Sequence, residues 1–274
     1  MTTRGSDKLF AGSIPRLYEE YLVPLIFRAY AEDLSRRVAA RPVRRVLEIA
    51  AGTGVVTRAL ASTLPAGVEI VATDLNQAMI DHGQAIGTSR PVTWRQADAM
   101  QLPFEDVEFD AVVCQFGVMF FPDKPTAFAE ARRVLGPRGA FLFNVWDRIE
   151  ENEFADTVTA AMATVFPGDP PRFLARTPHG YHDTSAIARD LMQGGFRAAP
   201  EIETRAERSR AESPGIPAVA YCQGTPLRNE IEARNASKLA VATDASAQAI
   251  ARRFGSGAVD GKIQAHIVSV ERQD

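Results

Sequence analysis

The stretch Arg44–Leu60, RRVLEIAAGTGVVTRAL, constrains this chain more than any other. Val46, Leu47 and Ile49 form the short apolar run of a strand buried on both faces. Gly52 and Gly54 permit a positive φ and let a ligand approach the main chain where a Cβ would obstruct it. Val55, Val56, Ala59, Leu60 and Leu64 then recur at helical spacing, so a helix N-terminus with free N–H groups follows the turn. Strand, glycine turn and helix in this order make a ligand cradle.

Glu48 stands before that turn. A dinucleotide site seats a pyrophosphate on the helix N-terminus, and a carboxylate beside it repels that anion, so Glu48 suits a cationic or zwitterionic ligand. The third glycine of GxGxxG is also missing, because Thr57 occupies its place. A second apolar strand, Glu69–Asp74, ends in an acid roughly twenty residues beyond Gly54, the position of a ribose-binding acid. Asn76 is placed to cap the next helix, on which Met79 and Ile80 are suited to flank a flat ring. A third loop, Ala97-Asp98-Ala99-Met100-Gln101-Leu102-Pro103-Phe104, follows at matching spacing.

With Glu48 so placed, the glycine stretch resembles motif I of the class I S-adenosylmethionine (SAM) dependent methyltransferases, and Arg132–Gly139, RRVLGPRG, resembles the family motif before the fifth strand. The resemblance covers about residues 40–147 with specific motifs and is closest to the ubiquinone/menaquinone-biosynthesis-like (methyltransferase type 11) branch, whose members methylate small molecules. It implies SAM as cofactor and S-adenosylhomocysteine as product. The cofactor-binding residues it implies are Glu48, Ala50, Gly52, Thr53, Gly54, Asp74, Leu75, Met79, Asp98, Ala99, Gln115 and Phe116, with Tyr18 and Tyr30 from N-terminal helices. In related enzymes such helices cover the cofactor, and Ile14–Val38 is helical in pattern, interrupted by Pro24 and holding Tyr18, Tyr21 and Tyr30. Packing of these rings is the competing explanation.

Strand and helix alternate through residue 145, which predicts a doubly wound, Rossmann-like parallel sheet. The resemblance extends this to seven strands with an antiparallel last one, Lys262–Val270. The expected division is 1–40 for the N-terminal lid helices and 41–274 for the methyltransferase domain, with helical substrate-cover insertions over about 148–195 and 212–256. Residues 1–13, polar and glycine-bearing, are expected to be mobile.

The 274-residue chain can bury a sizeable core, and its net charge of −3 argues against a general grip on nucleic acid. No secretory signal or apolar span of about 18 residues is visible, so a cytoplasmic location without a membrane span is expected. Cys114 and Cys222 have no metal-like spacing, and the four histidines form no ligand cluster, so no metal is expected. His179 and His182 are weak candidates for a general base, with surface loop residues as the plainer reading. The acceptor is expected to be a small molecule, and a homodimer is admitted. Two rival readings stand beside the methyltransferase: an NAD-dependent oxidoreductase on the same sheet, disfavoured by Glu48 and the missing glycine, and a catalytically silent SAM-binding protein.

Overall fold

The structure, a computed structural model, describes residues 7–273. Seven strands form a sheet: β1 (Arg45–Glu48), β2 (Glu69–Asp74), β3 (Thr93–Gln96), β4 (Phe109–Gln115), β5 (Leu135–Trp146), β6 (Glu201–Ala211) and β7 (Val259–Glu271), in the order β3-β2-β1-β4-β5-β7-β6. β3, β2, β1, β4 and β5 pair in parallel. β7 runs against β5, since Arg138 pairs with Arg272 near one end and Asp147 with Gln264 near the other. The doubly wound sheet is thus as the alternation of elements predicts, and its antiparallel last strand is as the family resemblance implies.

The chain divides into two compact units. Among the described residues one comprises 28–145, 181–205 and 265–273. Alternation along its strands buries both sheet faces. Val46, Ala111, Val113, Ala140 and Leu142 face one way, under α2 (Arg28–Ala39) and α3 (Val55–Thr63), and pack with Leu34 and Leu60 from those helices. Phe141 and Phe143 face the other way and meet Phe128 of α5 (Lys124–Val134) at 5.7 and 5.5 Å. The remaining helices of this unit are α4 (Gln77–Ile86) and α8 (Thr184–Gln193), and α8 packs on α5. The first excursion, expected to reach residue 195, therefore yields to the sheet unit at residue 181.

Among the described residues the other unit comprises 7–27, 146–180 and 206–264. Its helices are α1 (Ile14–Leu17), a wide-turned π-helical run Tyr18–Phe27, α6 (Glu153–Val165), α7 (Phe173–Arg176), α9 (Gly215–Gln223), α10 (Leu227–Asn235) and α11 (Leu239–Phe254). Pro24, expected to kink or divide the N-terminal helix, changes its winding instead of ending it. It sits inside the π-helical run, whose i→i+5 spacing replaces the break that proline makes in an α-helix. Of the segment expected to be mobile, residues 1–6 lie outside the described residues, while Asp7 is buried. Its carboxylate accepts from Arg176 Nη2 at 2.7 Å and Thr177 Oγ1 at 2.6 Å, and Arg176 also pairs with buried Glu230.

The N-terminal helical segment contributes core residues to both units, while Tyr18 and Tyr21 are half-buried. Leu22, Val23, Leu25, Ile26 and Phe27 are buried in the helical unit, and the Arg28–Ala39 helix is part of the sheet unit, so the boundary expected at residue 40 falls within that unit. Tyr30 is fully buried and donates to the Arg205 carbonyl at 3.0 Å. Deleting residues 1–30 should therefore unfold the protein rather than leave an intact sheet, since each large buried side chain removed costs about 2–5 kcal/mol. A truncated chain melting cooperatively within a few degrees of the full chain, by scanning calorimetry, would contradict this packing.

Candidate active site

The turn after β1 is built from main-chain bonds in a conformation that few residues adopt. Ala50, Gly52 and Gly54 have φ of 54°, 58° and 83°. Gly54 N–H closes the turn on the Ala51 carbonyl at 2.9 Å, and Gly54 then heads α3. A Cβ at Gly54 would stand 2.5 Å from the Trp94 ring, so the turn excludes a side chain on steric as well as conformational grounds. Trp94, in β3, is a supporting residue that periodicity did not single out, because Gly54 lies far from it in sequence.

Asp74 ties this turn to β2. Its Oδ2 accepts the Gly52 N–H at 2.8 Å, and its Oδ1 accepts the Asn76 N–H at 2.8 Å. The Ala51 N–H also reaches the Thr73 carbonyl at 2.9 Å. Asn76 occupies the N-cap position of α4 without a capping side-chain bond, because its amide turns back toward Asp74 at 3.4 Å. The Asp98 loop is drawn to the same corner by Ala97 N–H on the Asp74 carbonyl at 3.0 Å, and Asp98 itself is exposed, accepting the Met100 N–H. Leu75 is an exposed leucine at this corner, whereas Met79 is buried in α4.

Glu48 is buried and accepts a hydrogen bond from Thr57 Oγ1 at 2.5 Å. Burial pushes its carboxyl up to about 8, against the opposing pull of the Thr57 bond and the Arg58 charge. Asp74 is also raised by burial, opposed by the N–H groups it accepts. Two buried carboxylates at one glycine turn fit a ligand carrying positive charge and hydroxyl donors, and they disfavour a pyrophosphate. Thr57, which breaks the dinucleotide glycine pattern, is the residue that holds Glu48.

The carboxyl end of β4 completes the group. Phe116, itself at φ 52°, is buried, and its ring meets Tyr30 edge-on at 5.3 Å. A Cβ on Gly117 would lie 2.5 Å from the Ala50 Cβ, so the ends of β1 and β4 are in close contact. The sheet unit thus brings together Glu48, Ala50, Gly52, Thr53, Gly54, Asp74, Leu75, Asp98, Ala99, Gln115, Phe116 and Tyr30. Tyr18 and His179 belong to the helical unit: Tyr18 stacks on Phe27 at 5.0 Å, and buried His179 holds the Asp147 carbonyl through Nδ1 at 2.8 Å. His182 lies in the sheet unit just before α8, next to Tyr181, whose ring lies under Lys124 Nζ at 4.6 Å. Among the described residues no cluster of His, Cys, Asp and Glu could hold a metal, and no helix is long and apolar enough to cross a membrane.

Known proteins match this chain at the same stretch. A methyltransferase-domain family profile matches residues 47–143. The ubiquinone/menaquinone biosynthesis C-methyltransferase of Cupriavidus metallidurans is 32% identical over 200 residues, covering 69% of this chain and 77% of that protein. Its counterpart in Pseudomonas aeruginosa is 28% identical over 203 residues, covering 69% and 75%. Among solved structures, phosphoethanolamine N-methyltransferase 2 of Haemonchus contortus, in complex with S-adenosyl-L-methionine, superposes with a TM-score of 0.61 at 16% identity, covering all of this chain and 60% of that one. The cyclase SpnF superposes with a TM-score of 0.54 at 18% identity, covering 90% and 84%. These last two likenesses concern the fold alone.

The raised carboxyl of Glu48 makes stability depend on pH. Between the ordinary value near 4.5 and about 8 the folded protein holds a proton that the unfolded chain has lost, so stability falls as pH rises through that window. Asp74 is shifted in the same sense. Glu48→Gln should flatten the decline in melting temperature between about pH 5 and about pH 8.5, the window set by the ordinary and the raised value. Identical slopes in wild type and variant would show that Glu48 is not the titrating group.

Proposed function

Because this chain belongs to the class I S-adenosylmethionine-dependent methyltransferases of the ubiquinone/menaquinone-biosynthesis-like type, we propose that it methylates a small molecule with an apolar, hydroxylated aromatic body. SAM is its methyl donor. When bound, SAM supplies an electrophilic methyl group on a sulfonium that departs as a neutral thioether. The protein's task is then to bind, align and exclude water, with no nucleophilic triad or metal required.

Each part of the corner has a role in that task. Asp74 uses the lone pairs left after Gly52 and Asn76 to accept from the ribose hydroxyls. Asp98 and Ala99 border the adenine, with Leu75 as an apolar contact. Glu48, whose buried carboxyl holds its proton up to about pH 8, sits beneath the glycine turn where a ligand's positive charge would favour its ionised form, and Thr57 keeps it oriented. Tyr30 acts from within the core by packing against Phe116.

The observation that carries the acceptor reading is the wall after β4. Phe116, Val118 and Met119 are buried, and Phe120 and Phe121 are half-buried. A wall of this kind favours a flat apolar body over a strongly charged one. The quinone-biosynthesis C-methyltransferases to which the chain is similar support a hydroxylated ring as the body in question.

Two measurements test the reading. Asp74→Ala should weaken SAM binding at least about tenfold by calorimetry, as charge-assisted bonds contribute about 1.5–3 kcal/mol each. It should also lower stability, because the Gly52 and Asn76 N–H groups lose their acceptor. Unchanged affinity would remove Asp74 from the cofactor site. A screen of hydroxylated aromatics, amines and carboxylic acids, read by S-adenosylhomocysteine release, should give turnover with the first group. Turnover only with amines or acids would replace the acceptor class, and none at all would favour a silent SAM-binding protein.

A further inference from the structure

Asn144, near the carboxyl end of β5, plays no part in the site described so far. It is fully buried in the sheet unit and pairs in register with Gln115 of β4. The Phe116 N–H points at both oxygens of Asn144, the main-chain carbonyl and the side-chain Oδ1, each at 3.1 Å. That contact fixes the amide orientation, since a flipped amide would set N–H against N–H. Asn144 Nδ2 then has no partner, and a buried donor left so is costly unless something supplies an acceptor. Holding Phe116 in its left-handed conformation needs only Oδ1.

The direction of the amide follows from strand alternation. Val46, Val113 and Leu142 lie on one sheet face, so Glu48, Gln115 and Asn144, each two residues further on, fall on that same face at the carboxyl ends. Polar groups therefore succeed one another across the sheet: Asp98 after β3, Asp74 on β2, Glu48 on β1, Gln115 on β4 and Asn144 on β5. Strands are about 4.8 Å apart, which puts Asn144 about 10 Å beyond Glu48. If Asp98, Asp74 and Glu48 serve adenine, ribose and the amino-acid end, β5 lies past the methyl group, on the acceptor's side.

We propose that Asn144 is a specificity-determining residue whose Nδ2 donates a hydrogen bond to an oxygen of the methyl acceptor, selecting a phenolic hydroxyl or phenolate over an ammonium. This rests on the acceptor reading above and sharpens it. Nδ2 can only donate, so a protonated amine gains nothing from it and an oxygen lone pair does. The Tyr30 hydroxyl, on the helix that covers this face, is committed to the Arg205 carbonyl.

The test uses the full ¹⁵N-labelled chain loaded with S-adenosylhomocysteine, with the Asn144 side-chain NH₂ signals assigned by their loss in Asn144→Asp. Phenol should shift those signals in a saturable manner, and toluene should not. Signals that ignore phenol, or that respond equally to toluene, would overturn the assignment. In Asn144→Asp, which keeps an oxygen for the Phe116 N–H, kcat/KM for a hydroxylated aromatic acceptor should fall about 10- to 100-fold while SAM affinity stays within about twofold. Parallel loss of SAM affinity would make Asn144 a support for the cofactor site and refute the proposal. A phenol response at Asn144 with no S-adenosylhomocysteine formed from any hydroxylated aromatic would sink the acceptor reading and leave the donor assignment standing.

Discussion

The hydrogen bond from the Gly52 main chain to the Asp74 carboxylate is the contact on which the site depends. It locks a turn whose residues sit at positive φ, a conformation that would not persist without outside support. It also joins the ends of β1 and β2, where the parallel ladder has already stopped. Because the same carboxylate takes the Asn76 N–H, one side chain fixes both the glycine turn and the entry to α4. Any ligand role for Asp74 is superimposed on this structural one.

Electrostatics follow from that construction. Placing Glu48 and Asp74 in the interior near one turn raises both carboxyl groups, and the Asp74 charge adds to the burden on Glu48. A site with this cost suits a ligand that brings positive charge, which would favour the ionised carboxylates.

Two non-glycine residues, Ala50 and Phe116, adopt left-handed conformations at the ends of neighbouring strands. Gly117 has no room for a Cβ against Ala50, and Asn144 holds the Phe116 N–H. Strain is thereby concentrated where β1 and β4 end, and the strands behind, buried on both faces, are stiff enough to sustain it.

The sequence by itself determined the strand–turn–helix at Arg44–Leu60, the placement of Glu48 and Asp74 at strand ends, and the order of alternating elements. These are local facts, carried by apolar periodicity and by glycines that the backbone requires. Tertiary structure alone decided that Thr57 orients Glu48, that Trp94 closes over Gly54, and that Tyr30 is anchored by Arg205 across 175 residues. It likewise put Tyr30 in the core and brought Asn144 to Phe116. Such partners meet because strands far apart in the chain lie side by side in the sheet, and periodicity carries no record of which side chains then face each other.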